Sequence, residues 1–68
     1  MAIPIDRRGR IDNGPLRGHS VAVESQEDGG FAVIVADGEG GLRLSQYMES
    51  FDALNSYFRD QNWRVIWD

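Results

Sequence analysis

The chain has 68 residues and a formal net charge of −4, and this length supports one domain with a single small core. It contains no cysteine, which excludes disulfides and thiolate metal sites, and no apolar run approaches the roughly 20 residues of a membrane-spanning helix. The opening residues MAIPIDRRGR are too polar for a secretory signal, so we expect a soluble cytoplasmic protein.

Charge is distributed unevenly along the chain. Residues 1–18 carry four arginines against two aspartates, a net charge of +2, whereas residues 19–68 carry three arginines against nine carboxylates, a net charge of −6. Prolines and glycines interrupt every candidate element of the first segment, which predicts a flexible or loosely attached basic arm. A short edge pairing by residues 2–5 or 10–11 is the alternative, because proline is tolerated at a sheet edge. Residues 19–68 are expected to form a single domain.

Three apolar patterns predict strands in the middle of the chain. Residues 20–24 alternate as a half-buried strand does, and residues 42–47 alternate again. Residues 31–36, FAVIVA, are apolar on both faces, which is typical of a central strand. Glycine-containing turns at residues 26–30 and 37–41 separate these segments. The pattern therefore predicts an antiparallel meander.

A helix and a final strand follow the meander. Ser50 is a suitable N-cap, Asn62 suits a left-handed C-cap, and the apolar residues between them recur at helical spacing. Residues 63–67, WRVIW, alternate as a strand with both tryptophans on one face. This alternation favours burial of Trp63 and Trp67 over a role as contact anchors, although both interpretations stay open.

The resulting order, β-β-β-α-β, predicts a small α+β domain with one helix over one face of the sheet. We expect the helix to cross the sheet and deliver the last strand parallel to its neighbour at an edge. The edge beside the first strand is favoured. An exposed strand edge also allows a homodimer.

The glycine-rich stretch VADGEGGLRL, residues 35–44, raises the question of a ligand site. A phosphate loop requires a helix after the glycines and often a lysine, whereas here an alternating strand follows. Asp37 and Glu39 have the spacing of two calcium ligands, but no closing bidentate glutamate follows them. The stretch therefore predicts a hairpin turn with two acidic residues at its tip.

Catalytic chemistry has little support in the sequence. His19 is the only histidine, and no serine lies in a nucleophile-elbow motif. Because a chain of this size offers no obvious deep pocket, we expect a protein that is not an enzyme. We expect no cofactor, no metal site and no small-molecule substrate.

Nucleic-acid binding is the second functional hypothesis. It rests on the arginines of the basic arm, which could contact phosphates. Against it, residues 19–68 are strongly acidic, and no aromatic residue lies among these arginines to stack on a base. The candidate phosphate contacts are Arg7, Arg8, Arg10 and Arg17.

Binding to a protein with a basic surface is the leading hypothesis, because an acidic domain without a catalytic constellation suits such a target. The competing interpretation is that the acidic residues provide solubility alone. In size, element order and charge, the chain loosely resembles small bacterial or phage inhibitors of nucleic-acid enzymes, including immunity proteins and anti-CRISPR proteins; no motif supports this analogy. The candidate contact residues are Glu27, Asp28, Asp37, Glu39, Glu49, Asp52 and Asp60.

Overall fold

The computed structural model describes residues 3–68, which form an open five-stranded antiparallel sheet with one helix on one face. The strands lie in the order β4-β3-β2-β1-β5. The α+β class, the meander and the single covering helix are therefore confirmed. In chain order the elements are β1 (Arg7–Ile11), β2 (Ser20–Ser25), β3 (Phe31–Ala36), β4 (Leu42–Met48), α1 (Phe51–Gln61) and β5 (Val65–Trp67).

The expected basic arm is wrong for residues 7–11, because these residues form β1 in the interior of the sheet. β1 pairs with β2 on one side and with β5 on the other. Of the two alternative edge pairings, residues 10–11 do pair, but within this interior strand. Residues 3–5 form no strand, and residues 1–2 lie outside the described residues. Backbone hydrogen bonds on both sides hold β1, although its sequence, RRGRI, has no apolar alternation.

The last strand is antiparallel to its neighbour, so the predicted parallel pairing is wrong. β5 does run in the same direction as β2, and the two would be parallel neighbours if they were adjacent. β1 lies between them and runs the opposite way, which makes both of its pairings antiparallel. The position of β1 between β2 and β5 therefore makes the pairing of the last strand antiparallel, although β5 has the predicted direction relative to β2.

Both glycine-containing turns form hairpins, as predicted. Gly29 and Gly40 have φ angles of 90° and 87°, a left-handed conformation that glycine adopts at little cost. The first hairpin pairs Ser25 with Phe31, and the second pairs Ala36 with Leu42 beside a register shift.

The helix begins and ends where the sequence predicts. The Ser50 hydroxyl accepts a hydrogen bond of 3.1 Å from the amide of Ala53, and Asn62 closes the helix with a φ of 58°. Leu54 is fully buried against the sheet, a burial that contributes about 1.5–3 kcal/mol. The side chains that form the core are Ile11, Val21, Val23, Val33, Val35, Met48 and Leu54.

Candidate protein-binding surface

The topology brings six of the eleven side-chain carboxylates to one end of the sheet. β2 and β4 both finish at this end, the turn between β2 and β3 lies there, and α1 begins there. Phe31 confirms the placement, because it pairs with Met48 and its ring lies 5.9 Å from that of Phe51. We call this the acidic end. Its carboxylates are Asp6, Glu24, Glu27, Asp28, Glu49 and Asp52.

Arg7 and Arg8 lie beside the acidic end, opposite Val23 and Ala22, and Asp68 lies next to them. The guanidinium of Arg7 donates a hydrogen bond of 3.0 Å to the backbone carbonyl of Asp68. The opposite end holds the turn between β3 and β4, the loop between β1 and β2, and the end of α1. Five arginines accompany four carboxylates there, so its charge is nearly balanced. The fold therefore concentrates the negative charge of the chain at one end. The balanced end carries Arg10, Arg17, Arg43, Arg59 and Arg64 with Asp12, Asp37, Glu39 and Asp60.

The structure does not bring the seven predicted contact residues together. Glu27, Asp28, Glu49 and Asp52 share the acidic end. Asp37 and Glu39 lie at the opposite end of the six-residue strand β3, roughly 20 Å away. Asp60 lies in the last turn of α1, about 12 Å along the helix from Asp52.

Asp28 stabilises the turn at the acidic end. Its Oδ1 accepts a hydrogen bond of 2.9 Å from the amide of Gly30, and its Oδ2 accepts one of 2.7 Å from the hydroxyl of Tyr47. The hydrogen bond from Tyr47, followed by that from Gly30, lowers the pKa of Asp28. Asp28 therefore both stabilises the turn and contributes negative charge to the acidic end.

Asp37 has the corresponding role in the other turn. Its Oδ1 accepts hydrogen bonds from the amides of Gly41 at 2.8 Å and Glu39 at 2.9 Å. These two amides are the main cause of a lowered pKa for Asp37. Its Oδ2 also lies 3.9 Å from Nε of Arg43. The turn joins β3 to β4 as a hairpin, in agreement with the prediction.

Two aromatic side chains add apolar surface to the acidic end. Tyr47 is 51% exposed and Phe51 is 38% exposed. Tyr47 lies over Gly30, where a Cβ atom would collide with the tyrosine hydroxyl. Aromatic residues are enriched in protein interfaces, whereas Asp and Glu are depleted there, so the carboxylates around Tyr47 and Phe51 suit the polar rim of an interface and not its centre. Sequence reasoning missed both aromatic residues, because only the folded topology places them beside the carboxylates.

The four predicted phosphate contacts do not form one flexible group. Arg7 donates to a backbone carbonyl, and Nε of Arg17 donates to the carbonyl of Asp12 at 3.1 Å. Arg8 and Arg10 lie on the open face of the sheet, the face opposite to α1. The shallow groove that they line also includes Asp37 and Asp68, whose charges oppose phosphate binding.

The outer edge of the sheet at β4 is seven residues long and pairs only with β3. Leu42, at its start, is 67% exposed, and Arg43 is its single charged residue. An unpaired edge of this kind is able to accept another strand, so the homodimer stays a prediction.

Within residues 3–68 no group of three or more His, Cys, Asp or Glu side chains is placed to hold a metal ion. His19, the sole histidine, is half-buried and lies immediately before β2. In the same range no helix is long and apolar enough to cross a membrane.

These features define a small open-faced α+β domain with a charge-segregated surface. Comparison with protein-family models, with curated proteins and with solved structures finds no match for this chain.

Proposed function

We propose that this protein is a non-catalytic binding module whose acidic end docks on a basic surface of a partner protein. The observation that carries the proposal is the segregation of charge, with six carboxylates at one end of the sheet and only Arg7 and Arg8 beside them among the described residues. A concentrated negative field speeds encounter with a basic partner and sets its orientation. A uniform solubilising charge would not require such segregation.

Tyr47 and Phe51 supply the apolar part of the proposed interface. Side chains of this type carry much of the binding energy when a partner buries them, whereas rim charges mainly affect the association rate. The hydrogen bond to Asp28 fixes the hydroxyl of Tyr47 before binding, which lowers the entropy lost on association. Docking on a basic surface that binds nucleic acid would block that surface, and the protein would then act as an inhibitor.

Charge reversal at two matched pairs of positions tests the proposal. Glu27 and Glu49 are exposed at the acidic end, and neither side chain forms a hydrogen bond within residues 3–68. The E27K/E49K variant therefore changes the field without removing a described hydrogen bond. The E39K/D60K variant makes the same change in net charge at the balanced end and serves as the control.

The readout is the protein captured from a lysate of the native host, identified by mass spectrometry. We expect E27K/E49K to lose the partner of the unmodified chain, with affinity reduced by about tenfold or more, and E39K/D60K to retain it. Equal retention or equal loss by the two variants would contradict docking through the acidic end. Capture of RNA or DNA that R8Q/R10Q abolishes would favour the nucleic-acid hypothesis instead.

A further inference from the structure

A second surface lies beside β5 and has the opposite chemistry. A cleft of about 510 Å³ opens between the second half of α1, the residues that follow the helix, and β5. Its volume lies within the range of ligand-binding clefts. The lining is mostly apolar and includes three aromatic side chains. The lining residues are Ile3, Asn55, Phe58, Arg59, Trp63, Arg64, Val65 and Trp67.

The aromatic wall of this cleft is held in place by mutual contacts. The ring of Phe58 lies 5.5 Å from that of Trp63 in an edge-to-face arrangement and 6.2 Å from that of Trp67 in a stacked one. Tyr57 packs against Trp63 from the other side, with ring centroids 5.9 Å apart. Trp63 and Trp67 are each only half-buried, so part of the indole surface faces the cleft.

The residues that follow α1, which include Arg64 of the cleft, are anchored to the loop between β1 and β2. Oδ1 of Asn13 accepts a hydrogen bond of 2.7 Å from the amide of Arg64, and Nδ2 of Asn13 donates one of 3.0 Å to the carbonyl of Asn62. The amide of Asp12 donates to the carbonyl of Arg64 at 2.8 Å. Fixing the backbone in this way preorganises the cleft before a ligand arrives.

The charge of the cleft contrasts with that of the chain. Arg59 and Arg64 are its charged lining residues, both are exposed, and no carboxylate lines it. Within residues 3–68, neither guanidinium forms an ion pair or a hydrogen bond. Two free guanidinium groups beside an apolar wall are complementary to an apolar group flanked by carboxylates.

We propose that this cleft binds a short acidic peptide segment by enclosing one aromatic side chain and pairing its flanking carboxylates with Arg59 and Arg64. A short peptide stays within the cleft, so the positive charge of Arg59 and Arg64 is sufficient to bind it. A nucleic-acid strand would place phosphates beyond the cleft, near a chain whose net charge is −4. This cleft is separate from the acidic end, and it gives the module a second, oppositely charged contact surface.

The two tryptophans provide a direct readout, because they are the only ones in the chain and both line the cleft. The probes are three blocked pentapeptides: Glu-Asp-Phe-Glu-Asp, the same peptide with Ser in place of Phe, and Lys-Lys-Phe-Lys-Lys. We expect saturable change in tryptophan emission with the first peptide, at an affinity at least about tenfold above that of the other two.

The R59Q/R64Q variant is expected to weaken binding of the first peptide by about tenfold, because it removes both charge partners from exposed positions. R10Q, which removes an arginine on the open face of the sheet, is the control and should leave affinity unchanged. Equal binding of all three peptides, no saturable change, or an unchanged affinity in R59Q/R64Q would overturn the proposal. Tighter binding of hexathymidylate than of the acidic peptide would also overturn it, in favour of single-stranded nucleic acid.

Discussion

The hydroxyl of Tyr47 donates a 2.7 Å hydrogen bond to Oδ2 of Asp28, which joins the outer strand β4 to the turn between β2 and β3. The bond lies at the acidic end and immobilises both an exposed aromatic ring and a carboxylate. Tyr47 also covers Gly30, the residue at which the turn passes into β3. One contact therefore stabilises the hairpin and shapes the proposed interface.

The ionisation of Tyr47 reports on this contact. The hydrogen bond to Asp28, followed by loss of solvent, raises the pKa of Tyr47 above its ordinary value of about 10. We expect Asp28→Asn to lower the pKa of Tyr47 towards its ordinary value, as measured by the NMR shift of its Cζ atom. Tyr57, whose pKa is raised by burial, is the internal control and should not change. An unchanged pKa of Tyr47 in this variant would contradict the contact.

Asp37 should make the free energy of unfolding depend on pH in the acidic range. Because amides of its own turn lower the pKa of Asp37, the folded state binds protons less readily than the unfolded state. Its contribution is present above about pH 4 and is lost as the pH falls through the lower pKa of the folded state.

Denaturation midpoints between neutral pH and about pH 2 test this link. Asp37→Asn keeps an accepting oxygen but removes the titration, so we expect a weaker dependence of stability on pH. Glu39→Gln, at the tip of the same turn, should retain the dependence of the unmodified chain. Equal pH profiles for Asp37→Asn and the unmodified chain would show that Asp37 does not carry the effect.

Gly9 is required for the pairing of β1 with β5. A Cβ atom there would lie 2.6 Å from Cγ1 of Val65 and 2.8 Å from Cε3 of Trp67. We expect Gly9→Ala to reduce the free energy of unfolding by about 1–3 kcal/mol and to shift tryptophan emission. Gly38→Ala is the matched control, because a Cβ atom at Gly38 meets no atom within 4 Å. Equal stability of these two variants in urea would argue against β1 as an interior strand.

The first turn of α1 depends on its cap. Ser50→Ala removes the hydroxyl that accepts the amide of Ala53, and we expect a loss of about 1 kcal/mol from the free energy of unfolding. Ser56→Ala, at an exposed position within the helix, should be neutral or slightly stabilising. Urea denaturation followed by circular dichroism distinguishes the two, and a neutral Ser50→Ala variant would show that the cap contributes little.

Local signals in the sequence predicted the elements that follow residue 19. Gly29 and Gly40 marked the turns, and the caps at Ser50 and Asn62 bounded the helix. β1 was not predictable from such signals, because in RRGRI only Gly9 and Ile11 are buried. A strand held by backbone pairing on both sides needs little apolar character of its own.

The candidate surface was only partly predictable for a related reason. Glu27 and Asp28 stand out as turn residues, but their nearness to Glu49 depends on strand order and direction. The sequence also does not show that the carboxylates of Asp28 and Asp37 accept hydrogen bonds from backbone amides of their turns. The side chain of Glu27 accepts no such hydrogen bond within residues 3–68. Similar residues at two turns therefore lie at opposite ends of the molecule.

The salt dependence of affinity for the captured partner is the most direct test of docking through the acidic end. Raising NaCl from about 50 mM to about 300 mM shortens the Debye length by about 60%, so affinity of the unmodified chain should fall steeply. The slope should be clearly smaller for E27Q/E49Q and unchanged for E39Q/D60Q. A slope that is the same for all three proteins would contradict docking through the acidic end.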